Sequence, residues 1–157
     1  MDRQETLAAF EKTLPPAPAR GGNYTPCKIF GDGRLVYCSG FGCNTPEKTY
    51  TGRLGREITT ETGYQAARDC MRNLLAAYVR DIGPLTTIKS VVKMLALVSS
   101  DNGFYDQPAV ANGATDLLES LLGQETGLPA RSAIGVNVLP GNIPVEIELL
   151  LEIEPIP

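Results

Sequence analysis

The stretch PARSAIGVNVLPGNIPVEIELLLEIE, residues 129–154, decides the fold that we predict for this chain. Its second half, from residue 145 onward, has apolar residues at every odd position and glutamates at the even positions except Leu150. Alternation of this length is typical of a β-strand with one buried face and one polar face. We therefore expect this strand to cover the hydrophobic core of the protein with its odd-numbered side chains.

The first half of the stretch predicts another strand, which Leu139-Pro140 ends. Its apolar residues alternate as Ile134, Val136 and Val138. A hairpin centred near Gly141-Asn142 would set residue 131 opposite residue 152 and residue 137 opposite residue 146. Arg131 and Glu146 would then share the polar face, roughly 20 Å apart along the ladder, and would point away from the helices.

The remaining chain predicts the other elements of one compact domain. Hydrophobic periodicity and turn residues indicate a hairpin of strands at 27–30 and 35–38, a helix from 59 or 60 to about 80, a strand at 88–98, and a helix that starts near Pro108 and ends at Gly123. The order is β-β-α-β-α-β-β, with both helices on one face of a mostly antiparallel sheet. This predicts an α+β two-layer sandwich.

An additional helix precedes this domain. Residues 2–13 have a capping residue and an apolar stripe, and the prolines and glycines of residues 15–22 indicate a linker. We divide the chain accordingly into an N-terminal helix with linker, residues 1–22, and a main domain, residues 23–157.

Composition narrows the classes of function. The chain has 157 residues, a net charge of -4 and an isoelectric point near 4.9, which argues against a protein whose main task is binding the phosphate backbone of nucleic acids. It has neither a long apolar run that would predict a membrane span nor a secretory leader pattern. The expected compartment is the cytoplasm.

The chain contains no histidine, which excludes Ser–His triads and Cys–His dyads. The four cysteines form no C-x-x-C pair, so we expect no metal site. Cys38 and Cys70 lie in predicted strand and helix and are expected in the core. Cys43 lies in a polar loop and is expected to be the exposed, oxidisable one.

The predicted strand at residues 88–98 is apolar at positions of both parities. Both of its faces therefore favour burial, but the helices of one chain can cover only one. We expect a homo-oligomer in which the second faces of the sheets pack together.

A series of short motifs resembles one known family. They are NYTP at 23–26, LVYCSG at 35–40, GYQAAR at 63–68, VVK at 91–93, NGA at 112–114, PARS at 129–132, and LP at 139–140 followed by VEIE at 145–148. In this order they resemble the RidA (YjgF-like, endoribonuclease L-PSP) family over residues 23–154. The leading helix lies outside the usual family core and indicates a divergent subgroup.

The resemblance implies a chorismate-mutase-like fold and a homotrimer with three clefts between subunits. It also implies a cofactor-independent hydrolase, a deaminase that converts reactive enamine or imine intermediates (2-imino acids) into 2-oxo acids and ammonia. The family arginine that holds the substrate carboxylate falls on Arg131, and the catalytic set would be Arg131, Glu146 and Tyr24. Further substrate contacts would come from Asn112, Ala133 and Ser39-Gly40.

Two positions depart from the family. Ala133 replaces a common cysteine but keeps its backbone N–H, and Phe41 replaces a common glutamine, which predicts a drier, differently shaped pocket. A small-carboxylate-binding protein without turnover therefore remains an alternative, and an acidic ribonuclease without histidine ranks last.

The candidate residues also have structural interpretations that involve no substrate. Arg131 could pair with glutamates of its own sheet face, and Glu146 could be a solvated strand residue. Arg53 and Arg56 are expected to be solvated.

Overall fold

The computed structural model describes residues 2–156, so the ends of the predicted domain division, Met1 and Pro157, lie outside the described residues. The described chain forms one five-stranded sheet, two long helices on one of its faces, and a short N-terminal helix. The elements are α1 (Arg3–Glu11), β1 (Cys27–Phe30), β2 (Leu35–Gly42), α2 (Thr60–Asp81), β3 (Ile88–Ser99), α3 (Gln107–Gly127), β4 (Ala130–Val136) and β5 (Val145–Ile153). The predicted α+β order is thereby confirmed, and no helix among the described residues is long and apolar enough to cross a membrane.

The strands lie in the order β1-β2-β5-β3-β4, and only the β3–β4 pair is parallel. The central strand β5 behaves as its sequence predicts. All of its odd-numbered residues, from Val145 to Ile153, are buried, and its even-numbered residues are only partly buried. Because β5 pairs with both β2 and β3, its buried face contributes to the middle of the core.

The predicted hairpin between the last two strands is wrong. After α3, the chain returns in the direction of β3, and β4 pairs with β3 in parallel at the edge of the sheet. Residues 137–144 then carry the chain past β3 to the centre, where β5 runs antiparallel to both neighbours. Arg131 therefore has Met94 as its strand partner instead of residue 152.

This pairing also changes the face on which Arg131 lies. Partners in register point to the same side of a sheet, and the partners Met94 and Ala96 of Arg131 and Ala133 are fully buried beneath the helices. Arg131 is thus on the helix side of an edge strand, not on the helix-free face that the hairpin predicted. Glu146 does lie on the helix-free face, as predicted.

Two glycines bring the helices close together. A Cβ on Gly113 of α3 would lie 1.9 Å from the carbonyl oxygen of Tyr64 in α2, and one on Gly63 of α2 would lie 3.1 Å from Val110 Cγ2 in α3. Only glycine allows this approach of two helix backbones. The helix α3 also contains Gly123 at φ 78°, so its regular part ends where the sequence predicts, although a further turn extends it to Gly127.

The N-terminal segment is attached to the main domain along α2. Helix α1 begins with a capping box of Asp2 and Glu5, and its Leu7 is buried in the core. The chain that follows is held by Arg72, which donates to the carbonyl of Thr13 (3.0 Å), and by Arg80, which donates to that of Pro18 (3.0 Å). These contacts lead the chain back to the start of β1.

The helix-free face of the sheet carries several apolar side chains that this chain covers only in part. Leu95 and Leu97 of β3 and Leu150 of β5 are partly buried, and Ile134 of β4 is exposed. Their positions agree with the two-sided apolar pattern of residues 88–98. Association of two or more chains through this face stays a prediction.

Candidate functional site

Four of the predicted site residues line one open groove on the helix-free face. Tyr24, Ser39, Gly40 and Glu146 surround a cavity of about 680 Å³, together with Tyr37, Glu148 and three further residues. We call this cavity the glutamate groove. It lies over β2 and β5, where the two strands pair near Glu146.

An irregularity in β2 shapes the groove. The pairing of β2 with β5 shifts between Cys38 and Phe41, so the backbone of Ser39 and Gly40 departs from the regular ladder. Ser39 is held by two hydrogen bonds, from its amide to Pro26 O and from its hydroxyl to Thr25 O, both 2.8 Å. A Cβ on Gly40 would lie 2.7 Å from Glu146 Oε1, so the missing side chain leaves room for the glutamate.

The surroundings of Glu146 raise the pKa of its carboxyl group. Burial raises its pKa above the ordinary glutamate value, and the neighbouring charge of Glu148 raises it further. Both effects disfavour the ionised form. A carboxyl group with a raised pKa is a better proton donor and acceptor near neutral pH than an ordinary glutamate.

Two further residues that line the groove, Tyr37 and Glu148, were not predicted from the sequence. The Tyr37 hydroxyl donates to Glu148 Oε1 at 2.8 Å, which raises the pKa of the phenol. Both residues follow from patterns that were available, since Glu148 shares the parity of Glu146, and Tyr37 alternates with the buried Val36 and Cys38. These patterns do not reveal that β2 pairs with β5, which is what brings the two side chains together.

Tyr24 enters the groove from the linker. Its hydroxyl oxygen accepts from the amide of Gly21 (3.1 Å), and its carbonyl accepts from Arg20 (3.0 Å). Because the phenol oxygen acts as acceptor toward Gly21, its own proton is available for a molecule in the groove. The linker therefore forms one wall of the site.

The predicted site residues Arg131 and Asn112 form a separate group at the β4 edge. Arg131 Nη1 donates to Asn112 Oδ1 (2.8 Å) and Thr115 Oγ1 (3.2 Å), and its Nη2 donates to Pro108 O (3.4 Å). We call this group the arginine edge. All three acceptors belong to α3, and all three are uncharged.

The guanidinium of Arg131 has only uncharged hydrogen-bond partners among residues 2–156. Among residues 2–156, no carboxylate oxygen lies within 4.0 Å of its nitrogens, so the predicted alternative of pairing with glutamates of its own sheet is wrong. The hydrogen bonds to α3 come from Nη1 and Nη2, and none comes from Nε among residues 2–156. A guanidinium binds a carboxylate in the bidentate manner through two parallel N–H groups.

One chain does not bring the two groups together. Arg131 and Glu146 lie on strands separated by β3, and their side chains point to opposite faces of the sheet. The departures from the family pattern also lie away from the groove. Phe41 is buried on the helix side, so it does not line the groove or make it drier, and Ala133 packs against the core.

Arg53 was expected to be solvated, and this is wrong. Its side chain is only 16% exposed, and it donates to Ser100 O and Asn137 Oδ1 and pairs with Asp101 at 3.6 Å. It thereby fastens the loop before α2 to the segment after β3. Arg56, 58% exposed, agrees with the prediction. In the described part of the chain, no three acidic, cysteine or histidine side chains converge as metal ligands.

Comparison with known proteins places these features in a family. Residues 4–153 match the family model described as "YjgF/chorismate_mutase-like, putative endoribonuclease". The chain is 37% identical over 145 residues to protein TCP17 of Trypanosoma cruzi, which covers 89% of this chain and 87% of the relative.

Two solved structures show the same fold. The protein Atu1372 of Agrobacterium tumefaciens is 35% identical, with a TM-score of 0.84, over 97% of this chain and 92% of the other. RidA of the Antarctic bacterium Psychrobacter sp. PAMC 21119 is 28% identical, with a TM-score of 0.58, over 87% and 94%. The chain belongs to the YjgF/RidA family and has its chorismate-mutase-like fold.

Proposed function

We propose that the protein is a homotrimeric, cofactor-independent hydrolase of 2-imino acids. In each site, Arg131 of one subunit would complete the glutamate groove of the next. The observation that carries this proposal is the guanidinium of Arg131, which α3 holds through uncharged acceptors and which no carboxylate of residues 2–156 neutralises. A carboxylate is the ligand that such a guanidinium favours.

The sheet geometry supports a site shared between subunits. The arginine edge and the glutamate groove hold complementary groups, a cation on one side and carboxyl and phenol groups on the other. A single chain keeps them on opposite faces, so a second copy is needed to bring them together. The partly covered apolar residues of the helix-free face provide a surface through which copies can associate.

The chemistry needs little beyond positioning. Arg131 would hold the substrate carboxylate, and ionised Glu146 would accept a proton from a water molecule whose oxygen bonds to C2 of the imine. The proton would then pass from Glu146 to the nitrogen of the resulting carbinolamine. The proton of the C2 hydroxyl then passes through Glu146 to that nitrogen while the C2–N bond breaks with its electron pair going to nitrogen, so that a 2-oxo acid and ammonia leave. The Tyr24 hydroxyl can donate a hydrogen bond to the substrate or to the water.

The groove also argues against the endoribonuclease activity that gives the family its older description. Glu146 and Glu148 line it side by side, and none of the described residues that line it is basic. Such a groove repels phosphate groups, whereas RNA binding depends on neutralising them. A substrate with one carboxylate and an imine nitrogen that can donate a hydrogen bond suits both halves of the site better.

Replacing the arginine tests the proposed activity. A 2-imino acid generated by an amino acid oxidase should release ammonia faster with the protein than without it. Arg131→Ala should lower kcat/KM by about 100-fold, because the substrate is no longer positioned. Arg131→Lys should restore little, since an ammonium cannot make the bidentate contact. Arg56→Ala, which removes an exposed arginine, is the matched control and should keep the full rate.

The alternative function is a protein that binds small carboxylates without turnover. Saturable binding of 2-oxo acids without any catalysis would identify such a binding protein.

A complementation experiment tests the shared site. Arg131→Ala and Glu146→Gln chains should each be inactive as pure oligomers. When they are co-expressed, random mixing in a trimer should return about a quarter of the wild-type sites, because each such site takes its arginine from one variant and its glutamate from the other. Mixed oligomers without any recovered activity would contradict a site built across two subunits.

A further inference from the structure

Two cysteines face each other across the first strand pair. Cys27 of β1 is the register partner of Cys38 of β2, and their Sγ atoms lie 3.9 Å apart. Both are free thiols in this structure. They lie on the helix side of the sheet, on the opposite side from the glutamate groove.

The hydrogen-bond pattern shows what kind of pair this is. The amide of Ser39 donates to Pro26 O at 2.8 Å, so the neighbouring partners 26 and 39 are joined by a ladder hydrogen bond. Hydrogen-bonded and non-hydrogen-bonded pairs alternate in an antiparallel ladder, which makes Cys27 and Cys38 a non-hydrogen-bonded pair. In such pairs the Cα atoms are about 4.5 Å apart, within the range of about 4.4–6.8 Å that disulfides span.

The two thiols differ in their exposure to solvent and in their pKa. Cys27 lies on an edge strand and is partly exposed, whereas Cys38 is fully buried. The S–H of Cys38 stabilises the thiolate of Cys27 and so lowers the pKa of Cys27, and the same contact, together with burial, raises the pKa of Cys38. The accessible sulfur is therefore the better nucleophile, and the buried one is within reach to attack it.

We propose that Cys27 and Cys38 form an oxidisable dithiol that reacts with hydroperoxides and closes to a reversible cross-strand disulfide. The thiolate of Cys27 attacks the peroxide O–O bond and becomes a sulfenic acid, and the reduced leaving group departs as water (or an alcohol) after taking up a proton. The sulfur of Cys38 then attacks the sulfenic sulfur, its thiol proton joins the leaving hydroxyl, and a second water departs. Both sulfurs are oxidised and the peroxide is reduced, in a ratio of one peroxide to one disulfide.

The bond would join two positions that lie next to residues lining the glutamate groove. Cys27 follows Tyr24 by three residues, and Cys38 directly precedes Ser39 and Gly40. Cross-strand Cβ atoms are about 4.5–5.5 Å apart, whereas disulfides need about 3.5–4.5 Å, so the strands must adjust when the bond forms. Strained bonds of this kind are readily reduced again.

The chain provides a matched control in its other two cysteines. Cys43 and Cys70 are also neighbours, since the pKa of each is shifted by the other, but both are fully buried. The Cys70 thiol is further engaged with Val145 O at 3.2 Å. Peroxide has no access to this second pair in the folded protein.

The experiment is a thiol count with mass mapping on the full-length, folded protein. After treatment with hydrogen peroxide, the number of free thiols should fall from four by the two of this pair, the bond should map to Cys27–Cys38, and dithiothreitol should restore all thiols. In Cys38→Ser, Cys27 should instead be trapped as a dimedone adduct, and Cys27→Ser should keep its thiols.

The double variant Cys43→Ser/Cys70→Ser should form the Cys27–Cys38 bond at the wild-type rate. Retention of all thiols in the wild type, or a bond that maps to Cys43–Cys70, would overturn the proposal. The same holds if Cys27→Ser loses thiols as fast as the wild type. Circular dichroism of each variant confirms that the thiols are counted in folded protein.

Discussion

The arginine edge and the glutamate groove are held in place in different ways. Arg131 is fixed by acceptors on α3, so its position depends on how the whole helical layer packs against the sheet. Glu146 lies against the backbone of Gly40, so its position depends on the absence of a single Cβ. The same substitution, glycine to alanine, should therefore lower stability in the helical layer behind the arginine edge and lower activity in the glutamate groove.

Gly113→Ala should have the largest effect, on stability. The new Cβ would lie 1.9 Å from Tyr64 O in the facing helix, and two helix backbones must separate to accept it. We expect a loss of about 3 kcal/mol in the free energy of unfolding, measured by urea denaturation. Gly103→Ala, which meets nothing within 4 Å, is the control and should change it by less than about 0.5 kcal/mol. Equal stabilities of the two variants would contradict the close approach of α2 and α3.

Gly40→Ala should act on activity with little loss of stability. Its Cβ would meet the end of the Glu146 side chain at 2.7 Å, and a flexible carboxylate can move where a backbone cannot. We expect kcat for imine hydrolysis to fall by about 10-fold as the carboxyl group leaves its position. The unfolding midpoint measured beside it should stay close to that of the wild type. A variant that is unfolded, or one that is fully active, would show that Gly40 does not position Glu146.

Glu148→Gln should shift the pH dependence of the reaction. Burial and the charge of Glu148 both raise the pKa of Glu146, and the substitution removes the second of these. The acid limb of the kcat/KM profile should therefore move to lower pH, because Glu146 ionises more easily. Glu152→Gln, farther along β5 and next to Lys89, is the control and should leave the profile in place. An unmoved limb in Glu148→Gln would show that another group controls it.

On stability, Glu146→Gln should have a small effect, a gain that depends on pH. The folded state raises the pKa of Glu146, so it binds the proton more tightly than the unfolded chain does. The wild type therefore loses stability as pH rises from the ordinary glutamate pKa through the raised one. The variant, which lacks this loss, should have the higher urea midpoint at pH 7 and no such advantage at a pH below the ordinary glutamate pKa. A difference that is the same at both pH values would contradict the raised pKa.

Much of the architecture could be predicted because it depends on local patterns. The alternation of β5, the helical spacing in α2 and the turn residues near Gly123 led to the observed elements within a few residues. The groove residues Tyr24, Ser39, Gly40 and Glu146 were named in advance through the family resemblance, and they lie together. The Tyr37–Glu148 contact was not predicted, because it joins two strands more than one hundred residues apart.

Cys43 shows how the burial of a residue can differ from a local prediction. Cys43 was expected to be exposed because its neighbours in the sequence are polar, yet it is fully buried. Its loop folds over α2, where Tyr50 donates to Asp69 and Asn73 donates to the carbonyls of Gly42 and Asn44. A polar loop is held there by hydrogen bonds that a single-sequence pattern does not reveal.

The sequence by itself determined which face of β5 is buried and which residue types the site can use. Alternating side chains point to opposite faces of a strand, and the all-apolar odd positions left only one choice. The tertiary structure alone decided where Arg131 points. Strand β4 has a weak pattern, with partly buried or exposed residues throughout, so its face is set by its partner strand. Parallel pairing with β3 turned Arg131 toward α3 and away from Glu146, which separates two halves of a site that the local sequence had placed on one face.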